Sequence, residues 1–163
     1  MTGCFSCAQN AVEPAALPPR EAAYDDGLWR VAHSFNSGLP GWMVVIARRH
    51  VTSLSALTLA EAAALGPLLR ALSAALESTL GAVKAYVIFL AEAEGFAHLH
   101  IHVVARGVDL AADRRGTAIF EYLKQPKAAW VPVAEMDALA LRLRPLITAG
   151  IARGAAIVPE AGA

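Results

Sequence analysis

Three of the five histidines in the chain stand at alternate positions, His98, His100 and His102. In a β-strand, alternate side chains face the same side of the sheet about 6.6 Å apart, so these imidazoles would form one row. Leu99 and Ile101 would then face the core. Each imidazole has two nitrogens that need partners, and charged neighbours would repel one another, so such a row contributes little to stability. The spacing therefore indicates chemistry: a nucleophilic histidine oriented by its neighbours, or a metal site.

Two alternatives to a nucleophilic histidine stay open. One is a metalloenzyme in which His98, His100 and His102 bind a catalytic ion. It is the weaker alternative, because the outer two residues would lie about 13 Å apart along a flat strand and converge poorly on one ion. The other is a polar row on an edge strand that faces solvent and has no function.

The two cysteines of the chain, Cys4 and Cys7, are also suited to chemistry. In a reducing compartment, a Cys-x-x-Cys pair indicates metal or redox chemistry more than a structural disulfide. The alternative is a pair of terminal thiols that bind nothing.

The apolar pattern predicts the strands that position these residues. Four segments read as strands, and a six-residue loop joins the first two: residues 28–35, 42–47, 83–90 and 96–104. In the first strand, His33 alternates with Trp29 and Val31, which predicts a hydrogen-bonded histidine in the core.

A long helix is predicted between the second and third strands. Thr58 and Glu61 have the spacing of a capping box, in which each side chain satisfies a free backbone donor at the helix start. The helix should run to about Gly81, with Pro67 removing one hydrogen bond or kinking it. Its apolar stripe should face the core, and consists of Leu65, Leu69, Leu72, Leu76 and Leu80.

The ends of the chain carry weaker signals. Residues 8–27 hold three prolines and are predicted to be a loop or surface arm, and residues 106–131 have no clear period. A second helix is predicted over residues 135–144, ended by Pro145. We expect one domain with three parts: an N-terminal arm (1–27), a core (28–110) and a C-terminal extension packed on the same domain (111–163).

Composition limits the class of protein. With 163 residues and 17.1 kDa, the chain has the size of one domain. A hydrophobic content of 56% and a mean hydropathy of +0.47 exclude disorder. Fourteen basic and fourteen acidic residues give a net charge of zero. The sequence has no run of basic residues, so we do not expect nucleic acid as a partner. The N-terminus lacks signal-peptide features, and no stretch of about 18 apolar residues is free of charge, so we expect a cytoplasmic protein outside the membrane.

The segment from 98 to 104 matches the signature of the histidine-triad (HIT) family, His-φ-His-φ-His-φ-φ with φ apolar, at every position. Upstream, residues 40–51 resemble the family's strand that ends in two basic residues and a histidine, and residues 57–61 resemble its helix entry. The resemblance covers roughly residues 28–106.

The resemblance implies a small α+β domain with an antiparallel sheet of about five strands, one long helix and a C-terminal helix. Members are usually homodimers that bind nucleotides and act at the α-phosphate, as hydrolases of nucleoside phosphoramidates or dinucleoside polyphosphates or as nucleotidyltransferases. By the match, His100 is the nucleophile that forms a nucleotidyl-histidine, and His102 binds phosphate or the leaving group. Ser34 and Asn36 fall where the family contacts ribose or base. No catalytic metal is expected, since no Asp-rich cluster indicates magnesium.

The family also bears on the cysteines. Some branches, including the hexose-1-phosphate uridylyltransferases, place a structural zinc on an N-terminal Cys-x-x-Cys, an upstream histidine and the first histidine of the triad. The matching positions here are Cys4, Cys7, His50 and His98. Two thiolates and two imidazoles would close a tetrahedral shell, so the ion would hold the arm on the sheet rather than activate water.

The chain departs from the family near the triad. Trp42 stands where many hydrolysing members have histidine, and Glu94 lies where they have a Gly-Gln-Ser/Thr segment. Ala105 replaces the usual proline. A carboxylate at position 94 would repel a phosphate if it pointed inward. These departures favour a second hypothesis, a nucleotide-binding or scaffold protein with little or no turnover.

Overall fold

The computed structural model describes residues 3–155 and has a five-stranded antiparallel sheet, one long helix and a C-terminal helix. The expected α+β fold is therefore confirmed. The strands are β1 (Tyr24–Asp25), β2 (Trp29–His33), β3 (Trp42–Ala47), β4 (Lys84–Phe89) and β5 (His100–Arg106), in the spatial order β1-β2-β3-β5-β4. The helices are α1 (Phe5–Asn10), α2 (Leu59–Leu80) and α3 (Val133–Ala155).

One face of the sheet packs on helices α2 and α3, and the other does not. Val31, Val45 and Ile101 alternate onto the face that forms the main core with α2 and α3. The register pairs Arg30 with Ile46, and Ile46 with His100, so these side chains share the opposite face. That face is available for a site.

Helix α2 begins and ends as its sequence predicts. Thr58 and Glu61 form the capping box, and Gly81 caps the C-terminus in the left-handed region at φ 64°. The helix is continuous through Pro67. The predicted stripe is right in part: Leu72 and Leu76 are buried and Leu65 and Leu69 pack partly buried against the core, whereas Leu80 is 36% exposed. The buried residues are Glu61, Leu68, Ala71, Leu72, Ala75 and Leu76.

Length and hydropathy alone would allow α2 to cross a membrane, with a mean hydropathy of 1.4 over its most apolar window. The core helix of a folded domain passes the same test. Here Leu68, Leu72 and Leu76 are fully buried in the core beneath the sheet, which accounts for the apolar composition.

The prediction that Pro145 ends the second helix is wrong. Helix α3 continues through this proline and runs from Val133 to Ala155. A proline inside a helix costs a hydrogen bond and strains the preceding turn. Leu143 and Ile147, on either side of it, are fully buried in the main core. Burial of these side chains offsets the local cost, and no local signal in the sequence reports it.

The arm is more ordered than the predicted loop. It contains α1, two short 3₁₀ turns and β1, which pairs with β2. The Asn10 amide donates to the carbonyls of Ala47 and Arg48 at 2.8 and 3.1 Å. These bonds hold the end of α1 against the end of β3. Residues 106–131, ambiguous by sequence, end β5 and then form a series of 3₁₀ turns.

Candidate functional site

A cavity of about 410 Å³ lies on the sheet face opposite the main core. Its floor is formed by side chains of β2, β3 and β5 that alternate along each strand with the core-facing ones. They are Arg30, Ala32, Val44, Ile46, His100 and His102. The arm, the loop after β2 and the segment before β5 form its walls. Two of the three triad histidines therefore border one cavity.

One hydrogen bond of His100 fixes which nitrogen carries its proton. Its Nδ1 lies 2.7 Å from the carbonyl oxygen of His98. A carbonyl only accepts, so Nδ1 holds the proton and Nε2 keeps its lone pair. A neutral imidazole with a free Nε2 is a nucleophile near neutral pH.

His102 has the opposite tautomer. The indole of Trp42, which is fully buried, donates from Nε1 to Nδ1 of His102 at 2.9 Å. The proton of His102 therefore sits on Nε2. Burial lowers the pKa of His102 to about 4, with a smaller contribution from the repulsion that its imidazolium would meet from a protonated His100. The ring is thus neutral at physiological pH, and its Nε2 proton is available to a ligand.

These two rings offer complementary groups to one ligand. Their centroids are 5.0 Å apart and their planes are nearly perpendicular. One ring presents a lone pair and the other an N–H. A phosphorus centre bound between them would meet a nucleophile and a hydrogen-bond donor for its oxygens.

His98 does not share this cavity. It lies just before β5, which begins at His100 rather than at the predicted residue 96, and it is fully buried. Its Nδ1 lies 3.5 Å from the Sγ atoms of both Cys4 and Cys7 and 3.2 Å from Nδ1 of His50. Leu99, the next residue, is buried in the main core with Ile101 and Val103, so the predicted alternation continues through His98. The ring of His98 lies at the end of the row and reaches the cysteines of the arm rather than the cavity.

Cys4, Cys7, His50 and His98, the metal cluster, form a site that can hold an ion, with their ligand atoms all within 4.8 Å of one another. His98 donates from Nε2 to the carbonyl of Ala47 at 2.7 Å, which leaves the Nδ1 lone pair for the metal. Two thiolates and two imidazoles are a donor set that binds a structural zinc. Within residues 3–155 the three triad histidines form no such group, so the catalytic-ion alternative gains no support.

The other predicted residues are placed as follows. Ser34 and Asn36 border the cavity, and the Ser34 hydroxyl donates to the Asn36 side-chain oxygen at 3.1 Å. His33 is 3% exposed, donates from Nδ1 to the Ser34 carbonyl at 2.8 Å and accepts at Nε2 from the Gly41 N–H. The predicted core histidine is confirmed. Glu94 is exposed and does not line the cavity, whereas Glu92 does.

Three phenylalanines on the cavity wall were not predicted from the sequence. Phe5, Phe35 and Phe96 come from the arm, the loop after β2 and the segment before β5. Their ring centroids are 5.3 to 6.4 Å apart. The one available signal was the position of Phe5 between two cysteines, which ties it to the metal cluster. Arg30, buried within a strand, carried no signal.

Comparison with known proteins agrees with the site. The model of the HIT domain family matches residues 18–108. A Zn-bound histidine triad family protein from Mycobacterium smegmatis is 18% identical over 90% of this chain and 94% of its own, with a TM-score of 0.61. A histidine triad protein from Bradyrhizobium japonicum is 23% identical over 77% and 89%, with a TM-score of 0.63. The C. elegans NitFhit protein is 19% identical over 80% of this chain and 28% of its own, with a TM-score of 0.58. No curated protein matches the sequence. At these identities, the structural likeness concerns the fold.

Proposed function

The chain belongs to the HIT family, and from that premise we propose that it is a nucleotide-binding hydrolase or nucleotidyltransferase that acts at an α-phosphate through His100. The observation that carries the proposal is the hydrogen bond from Nδ1 of His100 to the His98 carbonyl. It leaves Nε2 as a lone pair on a ring that borders the cavity.

The first step follows from this tautomer. Nε2 of His100 attacks the α-phosphorus, and the bond from phosphorus to the leaving group breaks, with its electron pair leaving on that group. The ring becomes cationic, and the His98 carbonyl accepts a stronger hydrogen bond from Nδ1. Nε2–H of His102 donates to a phosphate oxygen as charge builds there.

The second step releases the nucleotide. Water, or another acceptor, attacks the phosphorus and loses its proton to solvent. The bond between phosphorus and Nε2 breaks, and its electron pair returns to His100. Ser34 and Asn36 are proposed to contact the ribose or base, since both border the same cavity.

We also propose that the metal cluster holds zinc. Its donor set and the free Nδ1 of His98 support this assignment, as does the Zn-bound relative from Mycobacterium smegmatis. The ion would act as a structural cross-link with four protein ligands and no open position. It would take no part in the reaction.

The test is release of nucleoside monophosphate from dinucleoside polyphosphates, nucleotide sugars and nucleoside phosphoramidates. His100→Asn should reduce turnover roughly a thousandfold or more, because it removes the nucleophile. Wild type should form a phosphorylated histidine that the variant lacks. Binding of nucleotide without turnover of any substrate would instead favour the scaffold hypothesis.

A further inference from the structure

Trp42 limits what His102 can do in this reaction. An indole N–H only donates, and here it occupies the Nδ1 lone pair of His102 at 2.9 Å. For His102 to become an imidazolium, Nδ1 would need a proton directed at the indole proton. Because Trp42 is fully buried, its N–H would then lose its partner without gaining water.

Packing prevents the Trp42 and His102 rings from turning away from each other. The ring of Phe120 contacts the rings of both Trp42 and His102 edge-on, with centroids 5.5 Å away in each case. The indole and imidazole planes are themselves nearly perpendicular. His102 is thus held neutral, and its single proton on Nε2 can be shared in a hydrogen bond. Transfer of that proton would leave an imidazolate, which is not accessible near neutral pH.

The other titratable groups that line the cavity do not replace it as a proton donor. His33 is bound at both nitrogens to backbone atoms, as described above. Arg30 is fully buried and retains its protons at any physiological pH. The carboxylates of Glu21 and Glu92 only accept when ionised. His100 is the nucleophile, and its Nδ1 proton is directed at a carbonyl.

This arrangement discriminates between leaving groups. When the bond from phosphorus to the leaving oxygen of an anhydride breaks, the electron pair goes to a phosphate or pyrophosphate oxygen, which is a stable anion without a proton. When a phosphorus–nitrogen bond breaks, the nitrogen needs a proton, because an amide anion is too basic to leave. General acid catalysis of that kind is worth about 10² to 10⁴ in rate.

We propose that Trp42 restricts the site to substrates with a P–O–P anhydride, such as nucleotide sugars or dinucleoside polyphosphates, and disfavours phosphoramidates. The proposal rests on the function proposed above and names its substrate class. Trp42 is a positioning residue, since it acts only through His102.

Rates on matched substrates test the proposal. Wild type should have a kcat/KM at least about 100-fold higher for a nucleoside anhydride than for the phosphoramidate of the same nucleoside. On nucleoside 5′-aryl phosphates that differ only in the acidity of the phenol, kcat/KM should depend steeply on that acidity. Trp42→Phe keeps an aromatic ring but removes the donor, so the slope should flatten and the preference should fall about tenfold or more.

Trp130→Phe is the matched control. It removes an indole N–H that donates to the Gln125 carbonyl at 2.9 Å, away from the cavity. It should leave both slope and preference unchanged. A phosphoramidate turned over as fast as the anhydride by wild type would overturn the inference and leave the proposed function standing. Failure of every substrate would overturn both.

A second measurement does not depend on how Trp42→Phe folds. Two-bond ¹H–¹⁵N correlations on the wild-type protein report the tautomer of each histidine. The proposal requires the proton of His102 on Nε2 and a lone pair on Nδ1, retained down to about pH 5. A proton on Nδ1 of His102 would contradict it.

Discussion

The ring of Phe5, in the arm, lies 5.3 Å from the ring of Phe35, in the loop after β2. Phe5 stands between Cys4 and Cys7, so the residues that hold the metal also hold one wall of the cavity. Phe96, just before β5, completes the contact with Phe5 at 5.6 Å. The metal cluster and the cavity thus share two segments, the arm and the residues just before β5.

Loss of a metal ligand should therefore weaken substrate binding more than the chemical step. We expect Cys4→Ser to bind little zinc and to raise KM with a smaller change in kcat, because Phe5 loses its anchor while His100 and His102 keep theirs. Metal content and steady-state kinetics on tag-free protein measure both effects.

Chelation and repletion provide the control for Cys4→Ser. Wild type treated with chelator should resemble the variant, and zinc should restore wild type only. An unchanged KM in metal-free protein would show that the arm stays in place without the ion. A wild type that binds no zinc would remove the basis of the expectation.

The resemblance of the sequence to a family predicted much of this site. What could not be predicted from the sequence has physical reasons. The metal cluster joins residues up to 94 positions apart, and a two-residue cysteine spacing alone did not identify it. The match to the family did. Strand periodicity predicted one row of three histidines, but it carried no information on which partners the first of them would meet. The alternation does continue, since Leu99 lies in the main core with Ile101, but the thiols beside His98 come from the arm, far along the chain.

The remaining misses share one cause, which is burial against distant segments. Pro145 ends a helix by local rules, yet Leu143 and Ile147 pack in the core and α3 continues. Phe35 is a loop residue by local sequence, and its contact with Phe5 depends on how the arm packs. In both cases the determining contact is with a segment far along the chain.

Glu61 should stabilise the protein near neutral pH, and this contribution should be lost in acid. The Arg49 guanidinium, with the Thr58 N–H, holds the pKa of Glu61 at about 2, below its usual value of 4.5. A carboxyl whose pKa is depressed by folding contributes stability that is complete above the unfolded value and is lost as pH falls through the folded one. We therefore expect Glu61→Gln to lower Tm at pH 7, with the difference from wild type shrinking between about pH 4.5 and pH 2.

Glu77→Gln is the control for this effect, since Glu77 lies exposed on the same helix. It should change Tm little at any pH. Thermal unfolding of wild type and both variants across this pH range decides the matter. A Glu61→Gln deficit that persisted undiminished at pH 2 would mean that the side chain acts by packing rather than by charge.

The edge of the sheet at β4 is where we propose that two chains meet. Among the described strands β4 pairs with β5 alone, and Val83 and Val87 are 47% and 49% exposed there. An apolar edge strand with free backbone groups pairs readily with another chain. Sedimentation should give the mass of a dimer, and Val87→Lys should shift it toward the monomer. Arg142→Glu, an exposed charge change on α3, should not. A wild-type mass near that of one chain would contradict the proposal.

Two glycines in the long helices should respond in opposite directions to alanine. A Cβ at Gly66 in α2 would meet nothing within 4 Å, so Gly66→Ala should stabilise the helix by about 0.5–1 kcal/mol through its higher propensity. A Cβ at Gly150 in α3 would lie 2.9 Å from Cβ of Ala71 and 3.3 Å from its Cα. Neither helix can yield without disturbing the core they share, so the clash should outweigh the gain in propensity. Chemical denaturation of metal-loaded protein should show a higher free energy of unfolding for Gly66→Ala and a lower one for Gly150→Ala. Stabilisation by both would mean that α2 and α3 lie farther apart than the structure places them.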